Sequence, residues 1–233
     1  MTDELRAKIR GVQDRIDAGV GRRRVRSAER TNVLRALNGA DYLSLTALFV
    51  AWISAMLLVS GEPNWGIVVM FGAFLFDKLD GWYARRYDVS SRFGRQVDSF
   101  IDIFAYLVPA ALLFHFTLAP HPVVSAVVGF AVLAFGGLRL IRHNSEGFGD
   151  DGGESYYHGT TVVHTNVVVL ANYFLVGYVG LWNGWLAALT TVAVCPLMVS
   201  DYKAYKNDRS HLLVGLLALV VTGLVLGLEY GLA

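Results

Sequence analysis

The sequence predicts an all-α protein, a polytopic membrane helix bundle of about seven transmembrane helices after an N-terminal surface helix. Three observations carry that expectation. Hydrophobic residues make up 55% of the 233, the mean hydropathy is +0.46, and the excess over a soluble domain is gathered into long runs. Those runs fall at about 42–60, 64–84, 95–118, 121–142, 160–181, 183–200 and 211–231, each close to the ~20 residues that cross a bilayer as a helix. With seven spans, every Lys and Arg falls at or near one side of the membrane.

The N-terminal segment is polar. Leu5, Ile9, Val12 and Ile16 recur at spacings of three and four, while Arg6, Lys8, Arg10 and Arg15 fill the other face. This pattern fits a helix lying in the plane of an anionic lipid surface, with Arg22, Arg23, Arg24 and Arg26 meeting phosphates. A solvated charged helix is the plainer alternative. Residues 1–36 have no early apolar core, so no cleavable leader is expected. The division expected is a cytoplasmic juxtamembrane segment over 1–38 and a membrane domain over 39–233.

Short polar connections such as Gly61-Glu62-Pro63-Asn64, Pro120-His121-Pro122 and Trp182-Asn183-Gly184 separate the spans, and 160–181 with 183–200 form a tight helical hairpin. Residues 1–36 hold 10 of the 20 Lys and Arg; the others are Lys78, Arg85, Arg86, Arg92, Arg95, Arg139, Arg142, Lys203, Lys206 and Arg209. The positive-inside rule makes their side cytoplasmic, with the N terminus inside and the C terminus outside the cell (plasma) membrane. A net charge of +1 predicts no nucleic-acid partner. The single cysteine, Cys195, excludes an intrachain disulfide and reads as a small buried side chain. The run Asp150-Asp151-Gly152-Gly153-Glu154 reads as a flexible loop, a lid over the site.

Four carboxylates stand out. Asp77 and Asp80 lie near the cytoplasmic end of the second span, Asp98 and Asp102 near the cytoplasmic start of the third. Each costs about 2.5–3.5 kcal/mol to insert. Residues three or four apart share a helix face, so each pair is about 4.5–6 Å apart along its axis. A short loop makes the two helices antiparallel neighbours, and the four carboxylates then meet at one depth. They would repel unless cations lay between them. Oxygen-only ligands suit Mg²⁺ or Mn²⁺. Ion pairing with nearby Arg is the alternative, but it leaves the paired spacing unexplained. Gly81 and Gly94 would let a nucleotide or neighbouring helix approach closely, or simply pack helices together with Ala84. Arg85 would attract a diphosphate or pair with an Asp. Lys78, Arg86, Arg92 and Arg95 read as snorkelling or solvated charges.

The segment Asp77-x2-Asp80-Gly81-x2-Ala84-Arg85-x8-Gly94-x3-Asp98-x3-Asp102 resembles the signature of the CDP-alcohol phosphatidyltransferase family, with every fixed position present. The resemblance implies a six-helix catalytic core with two divalent cations, Mg²⁺ or Mn²⁺, and a homodimer; the seventh span would be an addition. It implies that Asp77, Asp80, Asp98 and Asp102 hold the metals, with Asp98 and Asp102 at the chemistry and Asp102 the candidate general base. Asp80, Gly81, Ala84 and Arg85 would contact the CDP moiety, and Gly94 would allow its close approach. The substrates implied are a CDP-linked lipid, diacyl or ether, and a small polar alcohol, with CMP released at the cytoplasmic face.

Three stretches resemble the phosphatidylserine synthase branch: Leu138-Arg139-Leu140-Ile141-Arg142-His143-Asn144, Tyr157-His158-Gly159-Thr160-Thr161, and Leu197-Met198-Val199-Ser200. His143 stands where that branch has an aromatic residue, and Gly159 is not followed by Leu-Pro. Arg139, Arg142 and Asn144 are the candidate acceptor residues, because a serine carboxylate needs a cation. Glycerol 3-phosphate, inositol or inositol phosphate acceptors remain alternatives, and positive-inside anchoring explains either Arg equally well. His158 and His164 have no evident catalytic partner. A cation-coupled transporter is the rival class. It predicts carboxylates at several depths or a broken-helix repeat, and neither is seen.

Overall fold

The computed structural model describes residues 32–205 and 208–231. The N-terminal amphipathic pattern lies outside the described residues as far as residue 31. Of the unit ending at Asn38, Val33–Ala36 form one 3-10 turn, with the Asn32 side chain accepting from the Leu34 N–H at 3.0 Å.

From Gly39 the chain is mainly helical. The helices are α1 (Gly39–Val59), α2 (Pro63–Arg86), α3 (Arg92–Leu118), α4 (Pro122–Glu146), α5 (Val162–Tyr178), α6 (Gly184–Val194, continued as a 3-10 turn over Cys195–Val199) and α7 (Asp208–Glu229). They correspond in order to the seven apolar runs. Among the described residues three helices, α1, α3 and α4, are long and apolar enough to cross a membrane. Helix α2 has 24 residues, about 36 Å at 1.5 Å per residue, but its last turns carry Asp77, Lys78, Asp80, Arg85 and Arg86.

Helix α1 shows why the bundle forms. Ala40, Ser44, Ala47, Ala51, Ser54, Ala55 and Leu58 are buried, and they repeat at three and four. Small side chains on one stripe let two helix backbones approach closely, which in lipid replaces hydrophobic burial as the source of packing energy. The opposite face presents Phe49, Trp52 and Met56, all exposed, as suits a lipid-facing surface. Helix α3 is central: Ile101, Ala105, Tyr106, Leu107, Leu113 and Phe114 are all at most 4% exposed. Two wide π-helical turns, Ile103–Leu107 and Phe114–Leu118, interrupt it. Pro109 has no N–H to give the carbonyl four residues back, and the bond from the Val108 N–H skips to Ile103 O.

The all-helical expectation needs one correction. Gly149–Asp151 (β1), Glu154–His158 (β2) and Lys203–Tyr205 (β3) form a three-stranded antiparallel sheet in the order β1-β2-β3. The acidic run read as a flexible loop is therefore a hairpin. Asp151 faces Glu154, which leaves Gly152 and Gly153 as a two-residue turn with φ of 66° and 99°. Positive φ at both positions matches the twist of paired strands and costs glycine little. The Asp150 carboxylate fastens the turn, accepting from the Gly153 N–H at 2.8 Å. Across the sheet, Asp151 accepts from Lys203 Nζ at 2.6 Å and Tyr205 Oη at 3.1 Å. Those two donors hold its carboxyl below the usual carboxylate range.

Candidate active site

The C-terminal end of α2 and the N-terminal half of α3 meet, as their shared short loop requires. They bring Asp77, Asp98 and Asp102 together, with one ligand atom of each within 4.8 Å of the others. Three hard oxygen donors this close, inside a helix bundle, form a set able to hold a divalent ion. Asp80 is buried one turn after Asp77 and within electrostatic range of Asp77 and Asp98. It stands outside the triad, and its carboxylate accepts a short hydrogen bond from the Ser44 hydroxyl of α1.

Neighbouring groups orient the triad. The Tyr106 hydroxyl donates to Asp77 Oδ2 at 2.7 Å. Tyr106 sits in the first π turn of α3, and its own carbonyl accepts from Asn166 Nδ2 of α5 at 3.0 Å. Lys78 Nζ donates to Asp77 Oδ2 at 2.8 Å, so Lys78, expected to be a snorkelling or solvated charge, is half-exposed and also takes part in the site. Tyr106 and Ser44 were not anticipated. The signals available were a tyrosine four residues after Asp102 and a serine one turn after Ala40 on the small-residue stripe of α1.

The glycines of the signature have neighbours that account for them. A Cβ on Gly94 would lie 2.9 Å from Asp41 Oδ1 and 3.1 Å from Ser91 Oγ, so the first turn of α3 closes on a buried carboxylate of α1 only because that position is bare. Arg85 folds back across Gly81, its Nη1 3.2 Å from where a Cβ would stand. Gly81 and Ala84 are half-buried in the last turns of α2.

The two candidate arginines on α4 differ. Arg142 is fully engaged: Nη1 donates to Val199 O at 3.0 Å, and Nη2 to His158 O, Met198 O and Ser200 O at 2.6, 3.2 and 3.1 Å. It caps the carbonyls left open where α6 ends and stitches two of the stretches singled out in the sequence to the third. Arg139 is 5% exposed, and its Nε has no hydrogen-bond partner among the described residues. Its guanidinium lies over the Tyr157 ring, 5.5 Å from the centroid, within electrostatic range of Asp102 and Asp98. Asn144 is half-buried and, five residues after Arg139, is turned about 140° around the helix from it.

Beneath the triad, an apolar cavity of about 180 Å³ lies between α2, α3, α5 and α7, lined by Met70, Phe74, Tyr106, Asn166, Leu170 and Val221 among others. Tyr106 connects the two, since its ring lines the cavity while its hydroxyl touches Asp77.

A helical membrane protein with an acidic, metal-competent cluster at the end of two antiparallel helices, and an apolar cavity below it, defines a class of enzyme that handles an amphiphile with a polyanionic head. Residues 37–200 match the CDP-alcohol phosphatidyltransferase family model, and the chain belongs to that family. The chain is also similar to the archaetidylserine synthase of Methanothermobacter thermautotrophicus (strain Delta H), 29% identical over 171 residues that cover 72% of this chain and 70% of that protein. It is thus an integral membrane transferase of phospholipid synthesis, moving a phosphatidyl-type group from a CDP-linked lipid to an alcohol. Helix α7 lies beyond the matched residues.

Proposed function

We propose that the alcohol is L-serine, whose hydroxyl receives the lipid phosphate while CMP leaves. The observation that carries this reading is Arg139. Lys78 is bonded to Asp77, and Arg142 to four carbonyls. Among the described residues, Arg139 alone has a buried side-chain N–H without a partner, and it lies within electrostatic range of the acidic cluster. A single guanidinium suits a carboxylate. A phosphomonoester, with nearly two negative charges at neutral pH, calls for more. The name of the relative, archaetidylserine synthase, agrees.

In this reading Asp77, Asp80, Asp98 and Asp102 hold two divalent cations, Mg²⁺ or Mn²⁺. Divalent cations bound there would neutralise the diphosphate and stabilise entering and departing oxygens. Asp102 takes the proton of the attacking hydroxyl. Arg139 holds the serine carboxylate and so fixes the hydroxyl's direction. Asp80, Gly81, Ala84 and Arg85 receive the CDP moiety, while Gly94 serves it indirectly, by letting the first turn of α3 close on Asp41. The cavity beneath Tyr106 accepts part of a lipid chain. Arg142 acts at one remove, by holding the end of α6 against α4, and Asn144 lines the approach.

The arrangement in the membrane belongs to the same proposal. Residues 1–38 form a cytoplasmic juxtamembrane segment, 39–233 form the membrane domain with seven spans, and the active site faces the cytoplasm at the plasma membrane. The one-sided Lys and Arg support this orientation, and the family resemblance supports a homodimer.

The deciding experiment offers purified protein a CDP-linked lipid with serine, glycerol 3-phosphate, inositol and inositol 1-phosphate in turn, and measures CMP. Release with serine alone is expected. Robust release with a phosphorylated acceptor and none with serine overturns the acceptor and leaves the family chemistry standing.

A further inference from the structure

The small sheet delivers one side chain to the site. Tyr157, on β2, places its ring against the Arg139 guanidinium at 5.5 Å. The same ring packs on Phe148 at 4.9 Å and His143 at 5.5 Å. His143 is one helical turn from Arg139, so both project from one side of α4 onto one ring. Tyr157 also lies within electrostatic range of Lys78, the residue bonded to Asp77. It therefore stands among the cations that flank the triad.

The strand under this ring is pinned on both sides. Tyr157 pairs with Ala204 of β3. His158 O accepts from Arg142 at 2.6 Å. Gly159, with φ of 72°, donates its N–H to Tyr202 O at 2.7 Å, and a Cβ there would come within 2.5 Å of Met198 O. At the far end of the sheet, Asp151 ties β1 to Lys203 and Tyr205. The Arg139 Nε has no hydrogen-bond partner among the described residues, so that edge of the guanidinium is not held by a hydrogen bond. A rigid aromatic face supplies what is missing, because a planar guanidinium stacks on a ring through both dispersion and the ring quadrupole.

We propose that Tyr157 is a positioning residue, whose ring holds the Arg139 guanidinium in the orientation that receives the acceptor's anionic group, so that the three-stranded sheet sets acceptor selectivity. The inference rests on the reading of Arg139 as the acceptor anchor. It assigns to the sheet a task the helical core does not perform.

The test is kinetic and compares Tyr157→Leu with Tyr157→Phe in the purified, lipid-reconstituted protein. Tyr157→Leu is expected to raise the acceptor KM by about 3- to 30-fold, the span of a cation–π contact. The KM for CDP-lipid should stay within about twofold, and the preference for L-serine over ethanolamine, which lacks the carboxylate, should shrink by a similar factor. Tyr157→Phe keeps the ring and should restore wild-type values. An unchanged acceptor KM in Tyr157→Leu overturns the proposal. A parallel rise in both KM values, not repaired by Phe, overturns it too, since that is the mark of a general scaffold. If the Leu variant does not fold, Asp151→Asn loosens the sheet from its edge: a rise in acceptor KM alone supports the proposal, and no change sinks it. Should the wild type turn over only another alcohol, the serine reading fails by itself. The same variants measured on that alcohol then decide the role of Tyr157.

Discussion

The two ends of α2 gather polar groups from distant helices in opposite ways. At its start, Asn64 Nδ2 and Trp65 Nε1 donate to the two oxygens of Glu229 at 2.9 and 3.1 Å, and Tyr173 donates to Asn64 Oδ1 at 2.9 Å. Both oxygens of this carboxylate have a neutral donor, and the set ties α7 and α5 to α2. At its other end, roughly 20 Å along the axis, three carboxylates crowd within 4.8 Å with Lys78 as the bonded cation, while Arg139 nearby keeps an unpartnered Nε. A satisfied set is a fastening, because a bound guest has nothing to add to it. An unbalanced set costs free energy until a ligand completes it. The same helix thus carries a strut at one end and, in the proposed function, a binding site at the other.

The comparison can be broken at its strongest point by removing the metal or the base. Excess EDTA should abolish CMP release, with Mg²⁺ or Mn²⁺ restoring it. Asp102→Asn should lower kcat by about 10²- to 10⁴-fold, the usual worth of a positioned general base, in a protein that still folds. Full turnover under chelation would remove the metal from the account.

The arginine pair gives the next effect. Arg139→Ala should raise the serine KM by about 10- to 150-fold, the loss of one charge-assisted hydrogen bond, with the CDP-lipid KM nearly constant. Arg142→Ala should instead lower thermal stability and weaken both substrates together, because it leaves four carbonyls uncapped. Matching kinetic profiles for the two variants would erase the distinction between them.

Tyr106→Phe tests the layer behind the ligands. Removing a hydrogen bond that orients a ligating carboxylate typically costs about 10- to 100-fold in metal affinity. The Mg²⁺ or Mn²⁺ concentration for half-maximal activity should rise accordingly, with the maximal rate recovered at saturating metal. An unshifted metal titration counts against the role given to Tyr106. The smallest effect belongs to the opposite end. Glu229→Gln keeps one acceptor oxygen and should cost roughly 1 kcal/mol of stability, seen as a slightly lower melting temperature. Its kcat and both KM values should match wild type, and a catalytic defect would mean that the two ends are coupled.

Much of this was legible in the chain itself. The seven helical segments follow apolar run length, which the bilayer's thickness and the demand for internal backbone hydrogen bonds impose whatever the packing partners. Asp77, Asp98 and Asp102 could be brought together on paper because helical spacing puts i, i+3 and i+4 on one face and a short loop makes neighbours antiparallel. The hairpin at Asp150–Glu154 was missed because its acidic, glycine-rich composition is shared by flexible loops; its stability comes from pairing with β3, some fifty residues away.

Sequence alone determined the helical membrane architecture and the acidic signature, since both follow from local spacing and composition; the family came from the resemblance of that signature. Only the tertiary structure showed which cation keeps a buried N–H without a partner among the described residues. Arg139 and Arg142 are indistinguishable as residues in a pattern. One meets the open carbonyls at the end of α6, the other meets an aromatic ring and the edge of a carboxylate cluster. A charged side chain's role is set by what already satisfies it, and that depends on segments far away in the chain.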